Sequence, residues 1–148
     1  MRLSVLNQVP IGQDSTPEEA LNQAVELVKI TEDLGYTRYW VAEHHNTNGL
    51  ASSSPEILMT RLAGATSSIQ IGSGGVLLPQ YAPLKVAENF RMLEAMYPER
   101  IDLGLGRSPG GSNETRLALT DHIKKSMSSF PRQLEELYGC LYISREHS

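Results

Sequence analysis

Cysteine is nearly missing: Cys140 stands alone, which excludes an internal disulfide framework and any cysteine-built zinc cluster. No apolar run approaches the roughly 20 residues of a membrane span. Basic charge is scarce. Lys+Arg number 13 against 17 Asp+Glu, for a net charge of −4. A phosphate backbone selects a dense basic face, so nucleic acid is not expected as the main partner. Met1 to Gln8 is too short and too mixed to read as a secretory signal, and the expected setting is a reducing cytoplasm. Low-complexity segments, charge blocks and linkers are also lacking. What is present is ordinary globular composition: 148 residues, 40% hydrophobic and 20% charged. That excludes wholesale disorder and suits one domain with a real core.

The chain alternates strand and helix signals. Arg2 to Gln8 reads as a strand. Thr16-Pro17-Glu18-Glu19 opens a helix, with Thr16 as N-cap, Pro17 at the first helical position and Glu19 completing a capping box. Ala20, Ala24, Leu27, Val28, Thr31 and Leu34 are predicted on one face, and Gly35 ends the helix. Arg38 to Ala42 is a second strand. Ser54-Pro55-Glu56 opens a helix running to about Ser67. A third strand lies within Ile69 to Leu78. Pro83 opens a helix with Val86, Phe90 and Leu93 on one stripe. Arg100 to Gly106 is a fourth strand. A weak helix near Asn113 to Thr120 follows, then a helix from Pro131 with Leu134, Leu137, Tyr138 and Leu141 aligned. This rhythm predicts α/β architecture: βαβ units and a parallel sheet. It is either an open doubly wound sheet or part of a (β/α)8 barrel. Both place ligands at the C-terminal ends of the strands.

Chemistry-bearing residues do follow the strands. After the second comes Glu43-His44-His45-Asn46, either a surface histidine pair or a proton-handling group. Adjacent residues on an extended chain point opposite ways, so His44 and His45 are not expected to chelate one metal ion. After the third comes Gly72-Ser73-Gly74-Gly75, either a tight strand end or a bare surface for a flat ring. After the fourth comes Gly104-Leu105-Gly106-Arg107-Ser108-Pro109-Gly110-Gly111. Glycine backbone plus a guanidinium suits a phosphate, and a loop with one solvated arginine fits the string as well. The third glycine comes one residue late for the dinucleotide fingerprint, and no Walker lysine follows.

Taken in order with Ala87-Glu88-Asn89-Phe90 and Arg100-Ile101-Asp102-Leu103, these strings closely resemble the bacterial luciferase-like flavin monooxygenases. The resemblance runs from Met1 to about Leu141. It implies a TIM barrel that binds reduced FMN, delivered by a separate flavin reductase, and uses it with O2 to oxidise an organic substrate. By resemblance, His44 is a catalytic base beside the flavin and His45 supports it. Gly74 and Gly75 pack against the isoalloxazine through a non-proline cis peptide, and Arg107 contacts the flavin phosphate. Gly106 stands where some luciferases have a reactive cysteine, so thiol chemistry is not expected there.

The family barrel has eight strands and typically about 250 residues, so 1–142 is read as its N-terminal half and 143–148 as a polar tail. Leu3, Val5, Trp40, Ile71, Ile101 and Leu103 are expected to face the barrel axis and to be left uncovered. A homodimer, most readily, would hide that surface. The resemblance implies a small organic substrate, and the lack of a long apolar run gives no expectation of a membrane partner. Its alternative is a truncated, non-catalytic flavin-binding or interaction protein.

Overall fold

A computed structural model describes residues 1–108, 110–120 and 128–142. The tail predicted over 143–148 and Pro109 of the glycine-rich loop lie outside the described residues. Four strands, β1 (Ser4–Asn7), β2 (Arg38–Val41), β3 (Gln70–Leu77) and β4 (Ile101–Gly106), form one sheet in the order β1-β2-β3-β4. Every pairing is parallel, as the βαβ rhythm requires.

The crossovers are helical. They are α1 (Pro17–Asp33), α2 (Pro55–Gly64) and α3 (Pro83–Met96). After β4 come α4 (Asn113–Leu119) and α5 (Phe130–Tyr142), the latter packed on α3. The Thr16 capping box forms in full at the start of α1, and Gly35 takes a left-handed φ of 77° just past its end. α2 starts at Pro55, but the Ser54 hydroxyl makes no capping bond. α2 also ends at Gly64, short of the expected Ser67.

One face of the sheet packs on the helices. Tyr39, Val41 and Ile71 are fully buried there among Val28, Leu58, Met59, Leu62, Phe90 and Leu93. Val5, Ile101 and Leu103 join the same core, half-buried. This corrects the expectation that Val5, Ile71, Ile101 and Leu103 face the barrel axis. Register decides it: Val5 pairs with Tyr39, Tyr39 with Ile71, and Ile71 with Ile101. Paired residues point the same way across a sheet, so burial of Tyr39 fixes the whole row. Leu3 precedes β1 and is exposed. Trp40 does lie on the opposite face, as expected. A second correction concerns α1, where Leu27 and Leu34 are exposed and Val25 is buried in the face with Ala20, Ala24, Val28 and Thr31.

Charged side chains close the loops at the N-terminal ends of the strands. The Glu32 carboxylate accepts the backbone N–H groups of Ser67, Ser68 and Ile69 at 2.8–3.1 Å. Arg100 donates to the carbonyls of Ala63, Thr66 and Ile69 at 3.0–3.2 Å. Together they pair backbone donors and acceptors of the α2–β3 connection. Burial pushes the Glu32 pKa up, but the backbone N–H bonds and the Ser68 hydroxyl outweigh it and hold the carboxyl below its usual range. A depressed folded-state pKa means stabilisation that is complete above the unfolded value and fades as pH falls through the folded one. Glu32→Gln should therefore lower the unfolding midpoint at neutral pH, and the gap to the parent chain should narrow below about pH 4. Thermal unfolding followed from pH 7 to pH 3 checks this, and a gap that stays constant with pH would contradict it.

Candidate active site

The loop after β2 begins with a buried acid. The Glu43 side chain is 0% exposed, a placement that costs several kcal/mol unless its lost water is replaced. Three groups replace it. The backbone N–H of Leu77, at the end of β3, reaches Oε2 at 2.8 Å. His45 Nε2 lies 2.6 Å from Oε1, and the Tyr81 hydroxyl donates to the same oxygen. Tyr81 follows a short 3-10 turn, Leu78–Gln80, whose carbonyl at Leu78 accepts the side-chain amide of Gln133 on α5. Burial, then the Glu43 hydrogen bond and charge, then the charge of Glu56 push the Tyr81 phenol far up. It stays protonated and stays a donor.

The remaining loop residues are tied from the far side. The His44 backbone N–H donates to the Ser52 carbonyl at 2.9 Å, and the Ser52 hydroxyl donates back to Ala42 at 2.6 Å. The His44 ring is half-buried and has no hydrogen-bond partner among the described residues. Asn46, at φ 51°, donates from Nδ2 to Thr115 Oγ1 of α4 at 3.0 Å. Arg116 of α4 in turn holds the Gly110 carbonyl at 3.0 Å. The histidine loop and the glycine-rich loop after β4 are thereby joined.

The glycines divide into two groups. A Cβ on Gly72 would lie 2.4 Å from Cζ3 of Trp40, and one on Gly104 would lie 2.1 Å from the Ser73 carbonyl oxygen and 3.4 Å from the same indole. Their bare surface is filled by Trp40 itself, on the face away from the helices. Arg38 lies 5.2 Å over that ring and pairs with Asp102 at 2.5 Å. The Gly74–Gly75 bond is cis, as the resemblance implies. A Cβ on Gly75 would strike the Leu105 backbone at 2.8 Å, so β4 alone demands glycine there. Gly74 is exposed beside Leu6 and Trp40. Leu77 pairs with Gly106. Arg107 follows, exposed, with no hydrogen bond or ion pair among the described residues.

The five residues singled out in the sequence thus lie at the C-terminal ends of β2, β3 and β4. His45 is tied to the end of β3 through Glu43, and Arg107 is one residue past the Leu77–Gly106 pair. His44 is not tied to that network by its ring. No group of three or more histidine, cysteine or carboxylate side chains among the described residues could hold a metal ion. Glu43 and Tyr81 were not identified as partners from sequence. Their only signal was an acid beside two histidines.

A family model described as luciferase-like monooxygenase matches residues 1–141. The chain belongs to that family. It is 58% identical over 137 residues to the protein YceB of Bacillus subtilis, covering 93% of this chain and 41% of the relative. The solved structure of apo-MsnO8 superposes with a TM-score of 0.91 at 47% identity, covering 95% of this chain and 42% of the other. A more distant fold relative is a type II Baeyer-Villiger monooxygenase, the oxygenating constituent of 3,6-diketocamphane monooxygenase from Pseudomonas putida, in complex with FMN. Its TM-score is 0.81 at 17% identity, over 93% of this chain and 38% of that one. The chain spans about two fifths of the length of the relatives it matches. The sheet is therefore four strands of a TIM barrel, which decides between the two architectures the sequence leaves open. No helix among the described residues is long and apolar enough to cross a membrane.

The role of Gly72 can be checked directly, because Trp40 is the single tryptophan. Gly72→Ala should displace the indole, shift its fluorescence emission and cost about 1–3 kcal/mol, as overpacking does. Unchanged emission with an unchanged denaturation midpoint would show that the ring does not need the bare glycine.

Proposed function

We propose that this chain carries the flavin-binding end of a luciferase-like monooxygenase that uses reduced FMN and O2 to oxidise a small organic substrate. The observation that carries the reading is Arg107. An exposed guanidinium without a partner among the described residues stands just past the end of β4, in a glycine-rich loop joined to the histidine loop. Such a cation suits a phosphate, bidentately. The residues present fit the cofactor: the exposed Gly74, with Gly75 beside it, offers bare backbone for a flat ring, and Arg107 a phosphate contact. The FMN complex of the distant fold relative supports the same cofactor.

Bound reduced flavin would supply the electron pair that O2 activation needs. His44, whose ring is not committed to another side chain among the described residues, would take or give the proton near the reacting centre, and His45 would support it from the Glu43 cluster. A separate reductase in a cytoplasmic setting would provide the reduced flavin. The substrate belongs to parts of the site that these residues do not define.

Two substitutions separate the roles. Arg107→Ala should weaken FMN binding roughly tenfold or more, since a charge-assisted contact contributes on the order of 1.5–3 kcal/mol, and leave riboflavin binding nearly unchanged. His44→Ala should keep FMN within a few fold and slow oxygen-dependent oxidation by roughly 10² or more. Titration with both flavins and product analysis read the two effects. Equal losses for FMN and riboflavin would make Arg107 structural. Saturable FMN binding with no product in the parent chain would favour the non-catalytic alternative.

The same reading keeps a homodimer. Among the described residues β1 and β4 each pair on one side only, and Leu6 is 56% exposed on the face away from the helices. Covering that face stabilises by roughly 25 cal/mol per Å2 of apolar area. Sedimentation at micromolar concentration should show a dimer, and a well-folded monomer that binds no hydrophobic dye would contradict it.

A further inference from the structure

The Glu43 cluster constrains which ring nitrogen of His45 carries a proton when the ring is neutral. An ionised carboxylate is acceptor-only, and a backbone N–H is donor-only. Leu77 N–H takes Oε2 at 2.8 Å. Oε1 faces both the Tyr81 hydroxyl and His45 Nε2, the latter at 2.6 Å. The Tyr81 oxygen and Nε2 lie 3.3 Å apart. The phenol remains protonated and points its hydrogen at Glu43, so its hydrogen is not available to Nε2. Nε2 must then bring its own hydrogen to Oε1. In a neutral ring this leaves Nδ1 as the bare lone pair, and Nδ1 has no partner among the described residues.

We propose that Glu43 is a positioning residue that fixes His45 as the Nε2–H tautomer, so that Nδ1 is the ring atom able to accept a proton, with Tyr81 holding Glu43 in place. The use of this device rests on the flavin reading above; its geometry does not. A carboxylate that fixes the tautomer and the orientation of an imidazole sets which nitrogen does chemistry. The device also locates His45 relative to the cofactor end of β3, because the second oxygen of the same carboxylate holds the Leu77 N–H. The pairing spans the histidine loop and the β3 terminus with one side chain.

The test reads the tautomer directly, without flavin or turnover, so it fails or succeeds independently of FMN binding. Long-range 1H–15N correlation spectra of the full chain, recorded as a function of pH, distinguish the two neutral tautomers from the imidazolium, and His45→Gln assigns the His45 signals. The expected result is a protonated Nε2 and an unprotonated Nδ1 on His45. Tyr81→Phe should keep that pattern, because the Glu43–His45 bond survives. Glu43→Gln should lose it: with its oxygen on the Leu77 N–H, the amide turns an NH2 toward Nε2, and the ring proton moves to Nδ1. A parent chain with His45 protonated on Nδ1 would overturn the proposal, whether or not any variant folds. So would a folded Glu43→Gln chain whose His45 keeps the parent pattern.

Discussion

A single buried carboxylate joins the parts of the candidate site. Glu43 leaves β2, turns inward with no exposure, and is stable there only because the Leu77 N–H, the Tyr81 hydroxyl and the His45 ring meet it. Removing any one of these partners leaves a buried carboxyl oxygen with fewer hydrogen bonds, which is costly. The same requirement makes three separate segments, the β2 loop, the β3 end and the turn at Tyr81, settle together. The histidine loop is thus fixed by the sheet it follows and by electrostatics, not by apolar packing of its own.

The glycines show how one residue type serves two ends. At Gly72 and Gly104 the missing side chains make room for Trp40, at 2.4 Å and 3.4 Å from their would-be Cβ atoms. At Gly75 the approach of the β4 backbone leaves no space for a side chain. Only Gly74 keeps an exposed surface. A run of glycine at a strand end therefore does not by itself mark a ligand. Three of these four positions are accounted for by contacts inside the chain.

Local signals were legible where the physics is local. The Thr16 capping box, the left-handed Gly35 and the parallel strands come from residues within a few positions of each other or from element rhythm. His44, His45, Gly74, Gly75 and Arg107 are legible as residues at or after strand ends. What was not legible depends on distant partners. Tyr81 meets Glu43 from 38 positions away, and nothing in the sequence near Tyr81 announces it. Strand facing was misjudged because Ile71 and Ile101 are apolar either way, and only the register with Tyr39 says which side the helices cover. Leu27 and Leu34 sit at helical spacing from each other, but at about 3.6 residues per turn both fall on the flank of the stripe that Val25 and Val28 bury.

The two ends of the sheet use charge in opposite ways, and this bears on where a ligand binds. At the N-terminal ends, Glu32 and Arg100 are committed to backbone groups of the α2–β3 loop. Those charges replace solvent for peptide units, and a ligand would have to displace bonds already made. At the C-terminal ends, Glu43 holds the Leu77 N–H and Arg116 the Gly110 carbonyl, and other groups are left open. The Arg107 guanidinium and the His44 ring carry hydrogen-bonding capacity that no described residue takes up. Strand ends of parallel α/β sheets place ligands on that side in general. Here the reason is visible in the accounting of donors and acceptors: the structural demand is closed at one end and left open at the other. A bound phosphate at Arg107 would complete the second end as Glu32 and Arg100 complete the first.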